Sequence, residues 1–134
     1  MTGTRGWLRV RRRSDDDGGY SIVEAAITLP VVVLFAMLVV QWALLWHGRH
    51  VVESAVQDGV RAARAYQGTA GDGQRSAQTY LQAVAPTLVT APQVEVSRTA
   101  TSVTVRIRAG VLSVIPGGSF QVDESGTAPV ERFS

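Results

Sequence analysis

The sequence predicts an α+β protein in which a long amino-terminal helix crosses a membrane and continues as an amphipathic helix, followed by a second short helix and a small antiparallel sheet. Three observations lead there. From Ala25 to Trp46 no residue is charged, and a helix of that length rises about 33 Å, against a bilayer hydrocarbon core of roughly 30 Å. Beyond it, Val51, Val52, Ala55, Val56, Val60 and Ala63 recur at helical spacing, with Glu53, Gln57, Asp58, Arg61 and Arg64 mostly on the other side. From Gln93 onward the period drops to two, with Val94, Val96, Val103, Val105 and Ile107 alternating with polar residues such as Glu95, Arg106 and Arg108.

Residues 1–19 form a basic leader. Arg5, Arg9, Arg11, Arg12 and Arg13 lie close before the apolar run, whereas the nearest basic residues after it are Arg49, Arg61 and Arg64. Flanking Lys and Arg set orientation and acidic residues count for little, so Asp15, Asp16 and Asp17 do not reverse the bias. The expected topology is single-pass in the cell membrane, with the amino terminus cytoplasmic and everything after His47 outside. An Arg-Arg run also suggests twin-arginine export, but here Ser14 and three aspartates follow it rather than an apolar core.

Residues 20–66 are expected to form the spanning helix and its amphipathic continuation. Glu24 stands at the near edge of the span, where a carboxylate is costly unless hydrated or used. At headgroup depth it is simply hydrated. If the chain is cut after Gly19, however, Tyr20 becomes a charged amino terminus with Glu24 at i+4 on the helix, near that ammonium or one from a neighbouring subunit. Gly18 and Gly19 have low helix propensity, which favours an extended scissile backbone just before the helix starts. An ordinary secretory signal has a shorter core followed by a small-x-small site, and no such site follows Trp46.

Pro30 removes one helical hydrogen bond and favours a kink, which a spanning helix tolerates, and Thr28 is placed to help satisfy the freed groups. Gln41, Trp42 and Trp46 mark the outer boundary, since indole rings favour headgroup depth. The helix is expected to run to about Tyr66, with Gly48 and Gly59 each weakening it by about 1 kcal/mol relative to alanine. Its small-residue stripe must be buried, either against the outer domain or against neighbouring subunits.

Residues 67–134 are expected to form a small extracytoplasmic α+β domain. Gly68 to Gly73 reads as a flexible connection and Gln74 to Ala85 as the second helix, stopped near Pro86. Two strands follow around the Val94 and Val105 patterns, with Ser97 to Ser102 as their turn. An apolar segment at Val111 to Ile115 ends at Pro116-Gly117-Gly118, and Phe120 to Val122 and Val130 to Phe133 are expected to add short edge pieces. Cysteine is absent, so a domain of marginal size relies on its core, its anchor or its partners rather than on disulfides.

Little in the sequence suggests catalysis. His47 and His50 are i, i+3 neighbours without the His-x-x-x-His pattern or an acidic partner to complete a metal shell, and Gly117-Gly118 lacks the lysine and spacing of a phosphate loop. Asp72, Asp123 and Glu124 offer no acid/base pair. The expectation is a protein that is not an enzyme, with no cofactor, no metal, no small-molecule substrate and no nucleic acid. All 13 basic residues are arginine, and the cluster of them in the leader makes the high pI a topology signal. A chain starting at Tyr20 has 8 arginines and 8 acidic residues.

Gly19, an aromatic at 20 and Glu24 resemble the class III signal of type IV prepilins and pseudopilins, which a membrane aspartyl peptidase cleaves after glycine on the cytoplasmic face. The longer string, Val23-Glu24-Ala25-Ala26, Leu29-Pro30, Gln41 to Val51 and Gly59-Val60-Arg61-Ala62-Ala63-Arg64-Ala65, is similar to the TadE-like family of tight-adherence pilus assembly proteins. The similarity covers residues 18–66, and Ala25-Ala26 departs from the aromatic more often found after the glutamate. The resemblance implies a minor pilin-like subunit in assembling thin Flp-type pili. It carries over only to Gly19 and Tyr20 as the cleavage site and to Glu24 as the assembly residue. The implied partners are membrane lipid, a prepilin peptidase, other Tad pilus and pseudopilin subunits, and platform proteins. The helix-plus-sheet arrangement also resembles the general pilin plan. The competing reading is an unprocessed, single-pass anchored domain whose sheet binds an envelope partner.

Overall fold

The computed structural model describes Gly3 and residues 16–132. The leader residues Arg5, Arg9, Arg11 to Arg13 and Asp15 lie outside the described residues, as does Phe133. The elements are α1 (Asp16–Arg64), α2 (Ala70–Val84), β1 (Val89–Arg98), β2 (Ser102–Val111) and β3 (Phe120–Pro129), the α+β order of two helices and an antiparallel sheet that the periodicities predict. Two compact units emerge, one ending at Phe35 and the other beginning at Ala36, and α1 contributes to both.

In the first unit α1 begins at Asp16, ahead of the expected start at Tyr20, so Gly18 and Gly19 are helical. The reason is cooperativity. Each glycine costs about 1 kcal/mol against alanine, but extending an existing helix avoids the nucleation penalty that disfavours short ones. The helix runs through Pro30 without interruption. Ile22, Ile27, Leu29, Leu34 and Phe35 are all exposed, and the most apolar 18-residue window of α1 has mean hydropathy 2.5 with none of it buried in the protein. A helix of this length and hydropathy that the protein itself does not cover suits a bilayer.

In the second unit the sheet has strand order β1-β2-β3, each neighbour antiparallel. Central β2 alternates strictly. Val103, Val105, Ile107, Ala109 and Val111 are buried while Arg106 and Arg108 are exposed. The buried side meets Val51, Val52, Ala55, Val56 and Ala63 of α1 and Ala77 and Leu81 of α2 in one core. The small-residue stripe of α1 is therefore buried within the domain itself. Fully burying a valine or leucine contributes about 1.5–3 kcal/mol, so the outer half of α1 supplies a substantial share of the unit's cohesion.

Gly48 and Gly59, expected only to weaken α1, are points of close approach. A methyl group added at Gly48 would stand 3.0 Å from a Val111 methyl, and one at Gly59 would stand 3.1 Å from the Gly73 carbonyl and 3.3 Å from Val105. Gly73 reciprocates, with a methyl there 2.7 Å from the Ala63 Cβ and 2.8 Å from the Gly59 carbonyl. Bare backbone thus lets α1 and α2 touch.

Several boundaries depart from the sequence expectations. α1 stops at Arg64 rather than Tyr66, and Gln67 takes a positive φ of 61° at the turn that follows. The stretch Ala70 to Gly73 is not a flexible connection but the first turn of α2. Thr69 caps it, with its hydroxyl accepting from the Asp72 amide at 3.1 Å while Asp72 accepts from the Thr69 amide at 2.9 Å. The Thr69 hydroxyl, which donates to Asp72 Oδ2 at 2.8 Å, and after it the Thr69 amide hold the Asp72 carboxyl below the ordinary aspartate range. β1 begins at Val89, ahead of Gln93, because a register shift between Thr90 and Gln93 absorbs Pro92 and the positive φ of Ala91. Val111 ends β2, and the rest of the apolar segment, Leu112 to Ile115, forms a loop. β3 is a full strand instead of a short edge piece. Val130 and Glu131 belong to no strand. Their amides donate to the carbonyls of Thr101 and Arg64, each at 3.0 Å, which ties the chain's end to the end of α1.

Gly73→Ala is expected to lower the unfolding free energy by about 1–3 kcal/mol through overpacking. Gly71→Ala, where the nearest atom to a new methyl is Thr69 Oγ1 at 3.7 Å, is expected to be neutral or to stabilise by up to about 1 kcal/mol. Chemical unfolding of the two variants in detergent, followed by circular dichroism, checks the difference.

Candidate functional site

Two groups of residues on α1 bear on function. The first lies near its start, in the first unit. Gly19 is exposed, with nothing within 4 Å of where a side chain would begin, and only the backbone of Tyr20 is described. Glu24 is exposed one helical turn further on and makes no ion pair among the described residues. The i, i+4 relation of residues 20 and 24 thus holds on a continuous helix. The extended backbone expected at Gly18-Gly19 is not present. A peptidase needing an extended strand there would have to unwind the terminal turn, which two adjacent glycines make cheap.

The second group lies in the second unit, at the outer end of the apolar run. Gln41, grouped in the sequence with Trp42 and Trp46 as a boundary marker, is 3% exposed and makes two backbone bonds across the fold. Its Nε2 donates to the Leu112 carbonyl at 3.3 Å, and its Oε1 accepts from the Val114 amide at 2.8 Å. A carboxamide has one donor end and one acceptor end, so a single side chain satisfies both polar groups of an exposed-edge backbone. Trp42 stacks on Trp46 at a centroid distance of 6.5 Å and 13° between planes, and Trp46 meets His50 edge-on at 4.5 Å. Both tryptophans remain largely exposed. This ladder of rings with a polar tip suits headgroup depth. Arg49 then pairs with Glu124 of β3 at 2.7 Å, and His50 approaches Glu53 at 3.7 Å.

The acidic residues singled out as chemically isolated have structural partners. Asp72 caps α2. Asp123 receives Nε of Arg106 at 2.9 Å in a two-bond fork on the exposed side of the sheet, which holds its carboxyl below the ordinary range and raises Arg106 further. Such an exposed pair adds little stability. Among the described residues no group of three His, Cys, Asp or Glu side chains is arranged to hold a metal.

Among the described residues one helix is long and apolar enough to cross a membrane, which suggests the class of single-pass membrane-anchored proteins. Within it, residues 19–61 match the family model described as TadE-like protein, so the similarity read from the residues extends along α1 from Gly19 to Arg61. No curated protein matches the chain, and no solved structure does. The match lies within α1, and α2 and the sheet lie beyond it.

Sequence reasoning missed what Gln41 does. Its signal was present as a lone carboxamide in a run without charge, a group that needs partners wherever water is scarce. Gln41→Leu is expected to leave the Val114 amide and Leu112 carbonyl unsatisfied, lowering stability by about 1–3 kcal/mol. Hydrogen exchange in detergent micelles checks this, with the Val114 amide expected to exchange much faster while amides in the centre of β2 keep their protection.

Proposed function

We propose that this chain is a minor pilin-like, pseudopilin subunit acting in biogenesis of a tight-adherence, Flp-type pilus. It is held by α1 in the cell membrane with its amino terminus cytoplasmic and its α+β domain outside. The observation that carries this reading is the coincidence of the TadE-like match over 19–61 with one continuous helix whose lipid-length apolar stretch is exposed. In this reading a prepilin peptidase cuts between Gly19 and Tyr20. The new ammonium then lies one turn from Glu24, and in the low dielectric of a helical bundle the pair guides packing against other subunits and platform proteins. The protein acts by assembly and not as an enzyme, needing no cofactor, nucleic acid or small-molecule substrate.

A second reading is an unprocessed membrane-anchored domain that binds an envelope partner. The helical state of Gly18-Gly19 favours it, since the scissile backbone is not already extended. Mass spectrometry of the membrane-extracted protein separates the two. The pseudopilin reading expects a chain beginning at Tyr20, and a chain retaining Gly19 and the leader would contradict it. Glu24→Gln is expected to leave membrane insertion intact while abolishing piliation; normal piliation in that variant would sink the charge-pairing role.

A further inference from the structure

The loop between β2 and β3 has properties that a water-facing turn does not need. No residue from Ala109 to Val122 is charged. Leu112 is 46% and Val114 36% exposed, so apolar side chains point outward where polar ones are usual. Yet four of the loop's backbone amides are satisfied from within the protein. The Leu112 amide donates to the Leu88 carbonyl at 2.9 Å, the Val114 amide to Gln41, the Ile115 amide to the Ser113 hydroxyl at 3.2 Å, and the Gly118 amide to the Ile115 carbonyl at 3.0 Å. Residue 116, a proline, has no amide hydrogen to satisfy. In water such bonds are optional, whereas at membrane depth an unpaired amide costs several kcal/mol.

The point of attachment fixes which surroundings apply. Gln41 lies within the uncharged run, about 7.5 Å along the helix axis on the lipid side of Trp46, and its α1 neighbours Leu38, Val39 and Val40 are exposed apolar residues. The outward side chains of the loop therefore continue the apolar surface of the helix at the depth of its outer end. An Asn or Gln at such a place is expensive unless fully bonded, and this one is buried with both ends used.

We infer that the β2–β3 loop is a second membrane-contacting element, with Leu112, Val114 and Pro116 seated among the headgroups and upper acyl chains of the outer leaflet beside α1. The occupant of this surface is bilayer lipid, and Gln41 is the residue that makes the loop's backbone compatible with it. A domain touching the bilayer at two places, the helix and the loop, cannot swing freely on its anchor. The inference rests on the reading that α1 crosses a membrane, and the test separates the two.

Because the chain has no cysteine, single-site labelling of the full-length protein is clean. An environment-sensitive fluorophore is attached in Leu112→Cys and Val114→Cys, with Leu34→Cys on α1 and Ser125→Cys on the exposed side of β3 as references. The proteins are reconstituted in phosphatidylcholine–phosphatidylglycerol vesicles with brominated or ordinary acyl chains. Labels at 112, 114 and 34 are expected to lose most of their emission to brominated lipid and little to aqueous iodide, with the label at 125 doing the reverse. Quenching of 34 by brominated lipid while 112 and 114 respond to iodide would overturn the loop inference and leave the anchor standing. Iodide access at 34 would overturn both. Protection of 112 and 114 from both quenchers would mean that protein, such as a second copy of the chain, covers the loop, and would also overturn it.

Discussion

One helix here has to suit two surroundings, and the rest of the structure follows from that constraint. From Ala25 to Trp46 it carries no charge and its outward side chains are almost all apolar, which suits lipid or other apolar helices. From Val51 to Ala63 its apolar residues narrow to a stripe that the sheet and α2 bury. The change happens within two turns, marked by Trp46, His47, Arg49 and His50, where the first charge after the span also appears. Gln41 overlaps the two regimes. It sits in the apolar run, yet its carboxamide is committed to the β2–β3 loop. The outer part of α1 is itself part of the domain's core.

That arrangement explains how a domain without disulfides holds together. A short three-stranded sheet with one amphipathic helix of fifteen residues would bury little apolar surface alone. α1 adds Val51, Val52, Ala55 and Val56 against the buried side of β2, and the bare backbones of Gly59 and Gly73 bring the two helices into contact. The same glycines that lower intrinsic helix propensity are therefore compensated by tertiary packing, the usual way in which context overrides propensity. At the other end of α1, Gly19 has nothing within 4 Å of where a side chain would begin, so there the low propensity remains available for local unwinding.

The legible parts of the fold were those where one signal dominates. The absence of charge from Ala25 to Trp46 reveals the span, and the strict alternation of Val103, Val105 and Ile107 reveals β2, whose inward side is purely apolar. β3 was read only as a fragment because its inward positions after Val122 are Glu124, Gly126 and Ala128, one charged and two small, so no alternation is visible. The first turn of α2 was hidden by three glycines, and only the Thr69–Asp72 capping box betrays it. The apolar segment at Val111 to Ile115 carried no period that assigns it to a strand or a loop, and in the structure Leu112 and Val114 are exposed. As for the site, Gly19, Tyr20 and Glu24 are legible as a motif in the sequence, but the role of Gln41 depends on a loop some seventy residues away, which no local pattern encodes.

The central claim is that the apolar half of α1 resides in a bilayer and anchors the whole chain. Alkaline carbonate extraction of membranes from cells expressing the full chain tests it most directly, since high pH strips proteins held by surface contacts and leaves integral ones behind. The account predicts that the protein stays in the membrane pellet after the wash and leaves it only with detergent. Release into the carbonate supernatant would contradict it.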